Sequence, residues 1–241
     1  QSWKGHPHWG GDLGATDEEL EAANRESVAF IAALRDEYSR DGRQIVLNGV
    51  IGPRGYAYAP EADIAAHEAE NYHAQQIGWL ADTEIDMVTA LTFTQAEEAI
   101  GAVRAARAAR AAGLPAVISF TVETNGALPS GQPLSEAIRA VDAATESGAA
   151  YFMVNCAHPD HFFDVFDDAD WVRRVRGLRC NASRLSHAEL DACETLDDGN
   201  PVEFAMQYRN LVRRMPWLNV FGGCCGTDIR HVAELANAVR G

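Results

Sequence analysis

The 241-residue sequence predicts an α/β fold on a parallel sheet: the (β/α)8 TIM barrel, lacking its first two strands in this chain. Three observations predict it. Strand-like and helix-like segments alternate at about 30 to 40 residues per unit from residue 45 onward, the spacing of right-handed βαβ crossovers. Several strand segments are near-continuous apolar runs, as in parallel strands covered on both faces. No G-x-G-x-x-G follows an early strand and no G-x-x-x-x-G-K-[ST] occurs, which weakens the competing open, doubly wound sheet.

In chain order, residues 1–15, with Gly, Pro, Trp and His, read as a loop. Thr16 and Glu19 fit a capping box that opens a helix over 17–39, with Leu20, Ala23, Val28, Ile31 and Leu34 as its apolar stripe. Strands are expected at 45–51, 86–93, 116–122, 149–156, 178–182 and 218–222. Helices are expected at 61–81, 95–112, 133–147, 159–175, 201–214 and 228–239. The chain opens on a loop and a helix, as if entered just after a strand, and two more strands at the front would complete eight. No linker or low-complexity tract divides it, so residues 1–241 read as a single domain, incomplete at its N-terminus.

Charge narrows the function. Lys plus Arg is 20 against 35 for Asp plus Glu, a formal charge of −15 that repels phosphate backbones and argues against nucleic-acid binding. Arg104, Arg107 and Arg110 recur on an Ala-rich helix and read as a solvated face. No window of 18 apolar residues predicts a membrane helix, and no basic segment followed by an apolar one predicts a signal peptide. The five cysteines are odd in number, which argues against disulfide stapling and places the chain in the cytoplasm.

Three of those cysteines carry the chemistry. Cys156 ends one strand in Val-Asn-Cys-Ala-His-Pro, and Cys224 and Cys225 end the last strand in Gly-Gly-Cys-Cys-Gly-Thr. Parallel α/β folds place their sites at such C-terminal strand ends. Gly222, Gly223 and Gly226 permit the tight backbone that aims two consecutive side chains at one point. Three thiolates with one open position suit a catalytic Zn2+, since a structural site closes with a fourth protein ligand. The open position accepts a thiol, whose pKa the metal lowers. Cys180 and Cys193 read as structural or incidental. Cys156 with His158 and His161 offers a rival ligand set, but Pro159 reads as the first residue of a helix and would send the two imidazoles apart.

At these residues the chain closely resembles the homocysteine S-methyltransferase family, zinc-dependent enzymes on a (β/α)8 barrel. The resemblance rests on Asn155-Cys156, on Gly222-Gly223-Cys224-Cys225-Gly226-Thr227, and on the turn Gly49-Val50-Ile51-Gly52-Pro53-Arg54-Gly55. It implies that Cys156, Cys224 and Cys225 ligate zinc and that L-homocysteine is methylated to methionine. With no cobalamin or folate module in the chain, a small sulfonium-type donor, S-methylmethionine or S-adenosylmethionine, fits best. The acidic-glycine motif with which the family begins does not precede Gln1. The exposed barrel edges then call for further chain or for another subunit, a homo-oligomer among the arrangements.

Other residues are expected at the mouth. Glu123 is placed to pair with a substrate ammonium, and Asn155 and Asn181 to bond its carboxylate or orient a ligand. Asn48, Thr92, Thr94 and Arg54 are further candidates, and Trp3 and Trp9 could wall in a cationic methyl donor. The expected partners are small molecules. Two rival readings are a non-catalytic zinc- or thiol-binding barrel and, weaker, a redox enzyme using the adjacent Cys224–Cys225 pair.

Overall fold

The computed structural model describes residues 2–39, 42–56, 63–167 and 169–240. Six parallel strands form one sheet in simple sequence order: β1 (Asn48–Ile51), β2 (Met87–Phe93), β3 (Ala116–Phe120), β4 (Ala149–Asn155), β5 (Val175–Cys180) and β6 (Val220–Gly223). A doubly wound sheet reverses its order at a switch point; this one never does. Right-handed crossovers in one direction put the crossover helices on the same face, and the strands curl into part of a barrel.

The helices are α1 (Pro7–Gly11), α2 (Asp17–Tyr38), α3 (Ala66–Ala81), α4 (Ala96–Ala108), α5 (Leu134–Thr145), α6 (His187–Ala192), α7 (Pro201–Arg214) and α8 (Ile229–Arg240). The Thr16–Glu19 capping box closes reciprocally at the start of α2. The apolar core lies between sheet and helices. Ile118, Phe120, Phe152, Val154 and Leu178 are buried in it together with Ile100, Ile138 and Leu211. The residues that alternate with them face the concave side, where polar Thr89, Ser119, Asn155 and Arg179 stand among apolar Leu91, Val117 and Met153. There Asn48 donates to Thr89 at 2.7 Å and Ser119 to Asn155 at 2.6 Å. The strand-bound thiols and their supports stand at the C-terminal rim of that side.

Several expectations need correction. The opening segment is not all loop: Pro7 starts the short helix α1, and the His6 imidazole caps it by accepting from the His8 amide. The expected helix over 159–175 is three 3-10 turns, Pro159–His161, Phe163–Val165 and Asp170–Arg174. Phe162, Phe166 and Trp171 all bury into one core there, at spacings no single α-helical face can satisfy. The fifth strand begins three residues early, at Val175. Asn48 opens β1 rather than lying within it. Residues 61 and 62 of the expected 61–81 helix lie outside the described residues.

The expected stripe on α2 is only partly covered. Val28 is buried, but Ile31 and Leu34 are 46% and 38% exposed, beside Phe30 at 66%. The buried face runs instead through Asn24, which donates to Gly5 O and Leu20 O at 2.8 Å. The arginine row, Arg104 and Arg107 on α4 and Arg110 just past its end, keeps to the surface, with Arg107 exposed and the other two half-buried, and it also bonds neighbouring carbonyls. Arg110 donates to the carbonyls of Ala81, Thr83 and Ile85, Arg107 to that of Thr145 and Arg104 to that of Ala144. These guanidiniums cap the C-terminal ends of α3 and α5, where helix dipoles favour cations.

A candidate metal centre of three thiols

Cys156 directly follows the last residue of β4 and takes a left-handed backbone, φ 54°. That conformation is costly for a residue with a Cβ and persists only when its surroundings fix it. They do. The Cys156 carbonyl accepts from His187 Nε2 at 2.7 Å, Asn181 Nδ2 at 2.9 Å and Thr121 Oγ1 at 3.4 Å. The same Asn181 accepts the Cys225 amide on its Oδ1 at 3.0 Å. One buried amide therefore straps together the two loops that carry the thiols. Main-chain bonds complete the frame: Cys224 N donates to Cys180 O at 2.7 Å and Ala182 N to Cys225 O at 3.0 Å.

Two glycines make the β6 turn feasible. A Cβ on Gly223 would collide with the Thr227 side chain, and Gly226 adopts φ +76° with Asp197 O only 2.7 Å from where its Cβ would stand.

The three sulfurs lie within 4.8 Å of one another, the group among the described residues that could hold a metal ion. Cys156 and Cys225 are 3.8 Å apart, the edge of a tetrahedron with metal–sulfur bonds of about 2.3 Å. Cys156 and Cys224 stand closer, at 2.6 Å, and both are free thiols. Hydrogen bonds with Cys224 and Cys225, and then burial, push the Cys156 thiol well above its ordinary range. Crowded thiols resist ionising on their own; a divalent cation among them reverses that balance. Three converging sulfur donors with no fourth protein donor in the group therefore fit a metal with an open position.

A cavity of about 290 Å³ opens beside the thiols, its walls including Trp3, Lys4, Tyr56, Thr92, Asn155 and Arg179. Asn155 is buried and braces the floor. Its Oδ1 accepts from Thr92 N at 2.9 Å and Ser119 Oγ at 2.6 Å, and its Nδ2 donates to Thr92 Oγ1 at 2.8 Å. Thr92 is itself left-handed, φ 64°. Glu123 lies at the end of the Cys156 support, its Oε1 3.1 Å from His187 Nδ1. Thr94 is buried, and Asn48 pairs with Thr89. The Arg54 amide donates to buried Glu98, and its guanidinium sits 6.0 Å over the Tyr72 ring. Trp3 donates to Leu91 O at 3.1 Å at the cavity wall, whereas Trp9 donates to Pro53 O at 3.5 Å.

The histidines of the rival ligand set do not join the thiols. His158 Nδ1 accepts the Asp160 amide, and His161 Nε2 donates to Arg184 O at 2.9 Å. Cys180 faces the helices near Tyr208, where burial pushes its thiol up to about 12. Sequence reading missed His187, Arg179, Lys4 and Tyr56. A signal for His187 existed: Ser186 and Glu189 form a capping box that announces α6.

A curled parallel sheet with three thiols converging at its C-terminal rim defines an α/β protein with a candidate metal centre of sulfur ligands. A sequence model of the homocysteine S-methyltransferase family matches residues 1–239, and the chain belongs to that family of methyltransferases. No curated protein matches the sequence significantly. Solved structures share the fold. The metallated form of the homocysteine methyltransferase MmuM from Escherichia coli superposes with a TM-score of 0.72 at 16% identity, covering 100% of this chain and 77% of that one. The oxidized form of the same protein gives 0.70 at 18% identity, covering 98% and 77%. Family membership assigns methyl transfer to homocysteine.

Proposed function

We propose that the chain transfers a methyl group from a small sulfonium-type donor, S-methylmethionine or S-adenosylmethionine, to the thiol of L-homocysteine, giving methionine. Cys156, Cys224 and Cys225 would hold one Zn2+. The observation that carries this reading is the convergence of three thiols from two strand ends on one cavity. Zinc in such a site lowers the pKa of a thiol ligand, so that a good nucleophile exists at neutral pH without a strong protein base.

The chain's own residues do the positioning. Asn181 and His187 fix the Cys156 carbonyl, and Asn181 fixes the Cys225 amide, so the sulfurs are preorganised before any ligand arrives. The Asn155–Thr92–Ser119 network holds the neighbouring wall rigid. Trp3 lines the cavity, where its indole would pack against the donor. Holding donor carbon and acceptor sulfur in line supplies the orientation that displacement needs. In this reading Glu123, with one oxygen on His187 and a third of its side chain exposed, meets the substrate ammonium, and Asn155 and Asn181 act chiefly through the protein groups they bond. The sheet is read as six strands of an eight-stranded barrel in a single domain over 1–241, acting in the cytoplasm. No helix among the described residues is long and apolar enough to cross a membrane.

Elemental analysis of reduced protein tests the centre: about one zinc per chain is expected, with Cys225→Ser losing both zinc and methyl transfer from S-methylmethionine while its circular dichroism is kept. Full activity in Cys225→Ser would overturn the reading. The approach of Cys156 to Cys224 favours one second reading, a redox dithiol, which predicts a reducible disulfide and no metal.

A further inference from the structure

Resting on that reading, we infer that Arg179 and Lys4 form a carboxylate-binding pair on the wall of the thiol cavity, selecting ligands that carry an amino-acid carboxylate. Arg179 lies between Leu178 and Cys180 on β5, both part of the helix-facing core, so its own side chain enters the concave side. Its Nε donates to Gly223 O at 2.9 Å, which fixes the plane of the guanidinium. Its stem passes over Gly222, where a Cβ would stand 3.5 Å from Arg179 Cγ. Neither terminal nitrogen has a hydrogen-bond partner among the described residues, although the guanidinium's charge reaches the Cys224 thiol. Lys4 stands on the same wall, its ammonium 4.0 Å from the Trp9 ring centre and 5.4 Å from that of Trp3, also with no carboxylate partner among the described residues.

Among the described residues Arg25, Arg35, Arg174, Arg184 and Arg230 meet carboxylates. Others bond carbonyls, as Arg110 does to Ala81, Thr83 and Ile85. What sets Arg179 and Lys4 apart is that both line one cavity beside the thiols. A planar guanidinium with free N–H groups is the fork that a carboxylate fits, and an ammonium on the wall of the same cavity adds charge. A sulfonium or ammonium ligand without a carboxylate meets only repulsion from this pair. Acceptor and methyl donor could each supply the carboxylate, and the experiment separates them.

The test is calorimetric titration of the zinc-loaded chain. On the acceptor arm L-homocysteine is compared with 3-aminopropane-1-thiol, which lacks the carboxylate. On the donor arm S-methylmethionine is compared with (3-aminopropyl)dimethylsulfonium. The expected result is a preference of about 10- to 100-fold for the carboxylate-bearing ligand on one arm, which identifies the source. Arg179→Gln should weaken that ligand to the level of its decarboxylated partner and leave the partner unchanged, with Arg179→Lys restoring part of the preference. Lys4→Met should show the same pattern in smaller measure. Equal affinities on both arms in the unaltered protein would overturn the proposal, with no variant needed. So would an Arg179→Gln effect equal for both members of a pair, which marks general support of the thiols. Binding of neither thiol overturns the methyltransferase reading itself.

Discussion

Toward the helices, β3 and β4 present Ile118, Phe120, Phe152 and Val154, all buried in the apolar core. Toward the concave side the same strands present Ser119, Met153 and Asn155, and hydrogen bonds take over from hydrocarbon. Both sets are buried, so exposure does not separate them. Fully burying one large apolar side chain gains about 1.5–3 kcal/mol, whereas a satisfied hydrogen bond nets about 1 kcal/mol and mainly fixes geometry. The outer face therefore holds the fold, and the inner face holds the thiols. A two-residue alternation is enough to keep the two tasks apart on one strand.

Four changes would break or sharpen that contrast. Phe120→Ala on the outer face should have the largest effect, about 3–5 kcal/mol in urea denaturation, with zinc per folded chain unchanged. A lost metal at that position would mean that the faces are coupled.

Acid should act next, through a buried imidazole that bonds no thiol. The neutral His6 ring is fully used, with Nε2 donating to Tyr72 O at 2.7 Å and Nδ1 accepting the His8 amide at 3.1 Å. Burial holds its pKa down at about 4, so the unfolded chain takes up a proton first. Its contribution is complete above about pH 6.5 and is lost as pH falls toward 4, a change of about 2–3 kcal/mol. Denaturation curves at pH 7 and pH 4.5 check this, and His6→Asn should reduce the difference, with buried His158 supplying part of the remainder.

Asn181→Ala on the inner side should cost less stability, about 1–2 kcal/mol, but weaken zinc about 10- to 100-fold in chelator competition. An unchanged zinc affinity would remove Asn181 from the strap. Val232→Ser, on the half-exposed flank of α8, should shift stability by no more than about 0.5 kcal/mol.

How much of this was legible in the sequence follows the same division. Apolar runs and capping signals are local, and they place all six strands and the long helices, with α7 ending at Arg214 as expected. The thiols were legible because consecutive cysteines among glycines at a strand end have few other uses. Segment 159–175 was not: Pro159 reads as a helix start and Phe162 and Phe166 sit one helical turn apart, but Trp171 falls off that face, and burying all three breaks the segment into 3-10 turns. Ile31 and Leu34 fit an amphipathic helix regardless of whether anything covers them. His187 and Arg179 could not be placed because their roles depend on Cys156 and Gly223, 31 and 44 residues away. Long-range hydrogen bonds leave no periodic trace.

Lys4 is the only lysine among 241 residues. An amine-directed reagent therefore finds one side-chain target among these residues, on the wall of the thiol cavity. Filling of that cavity becomes readable as protection of a single ammonium from acylation. Any ligand can then be ranked by mass spectrometry, whether or not it reacts.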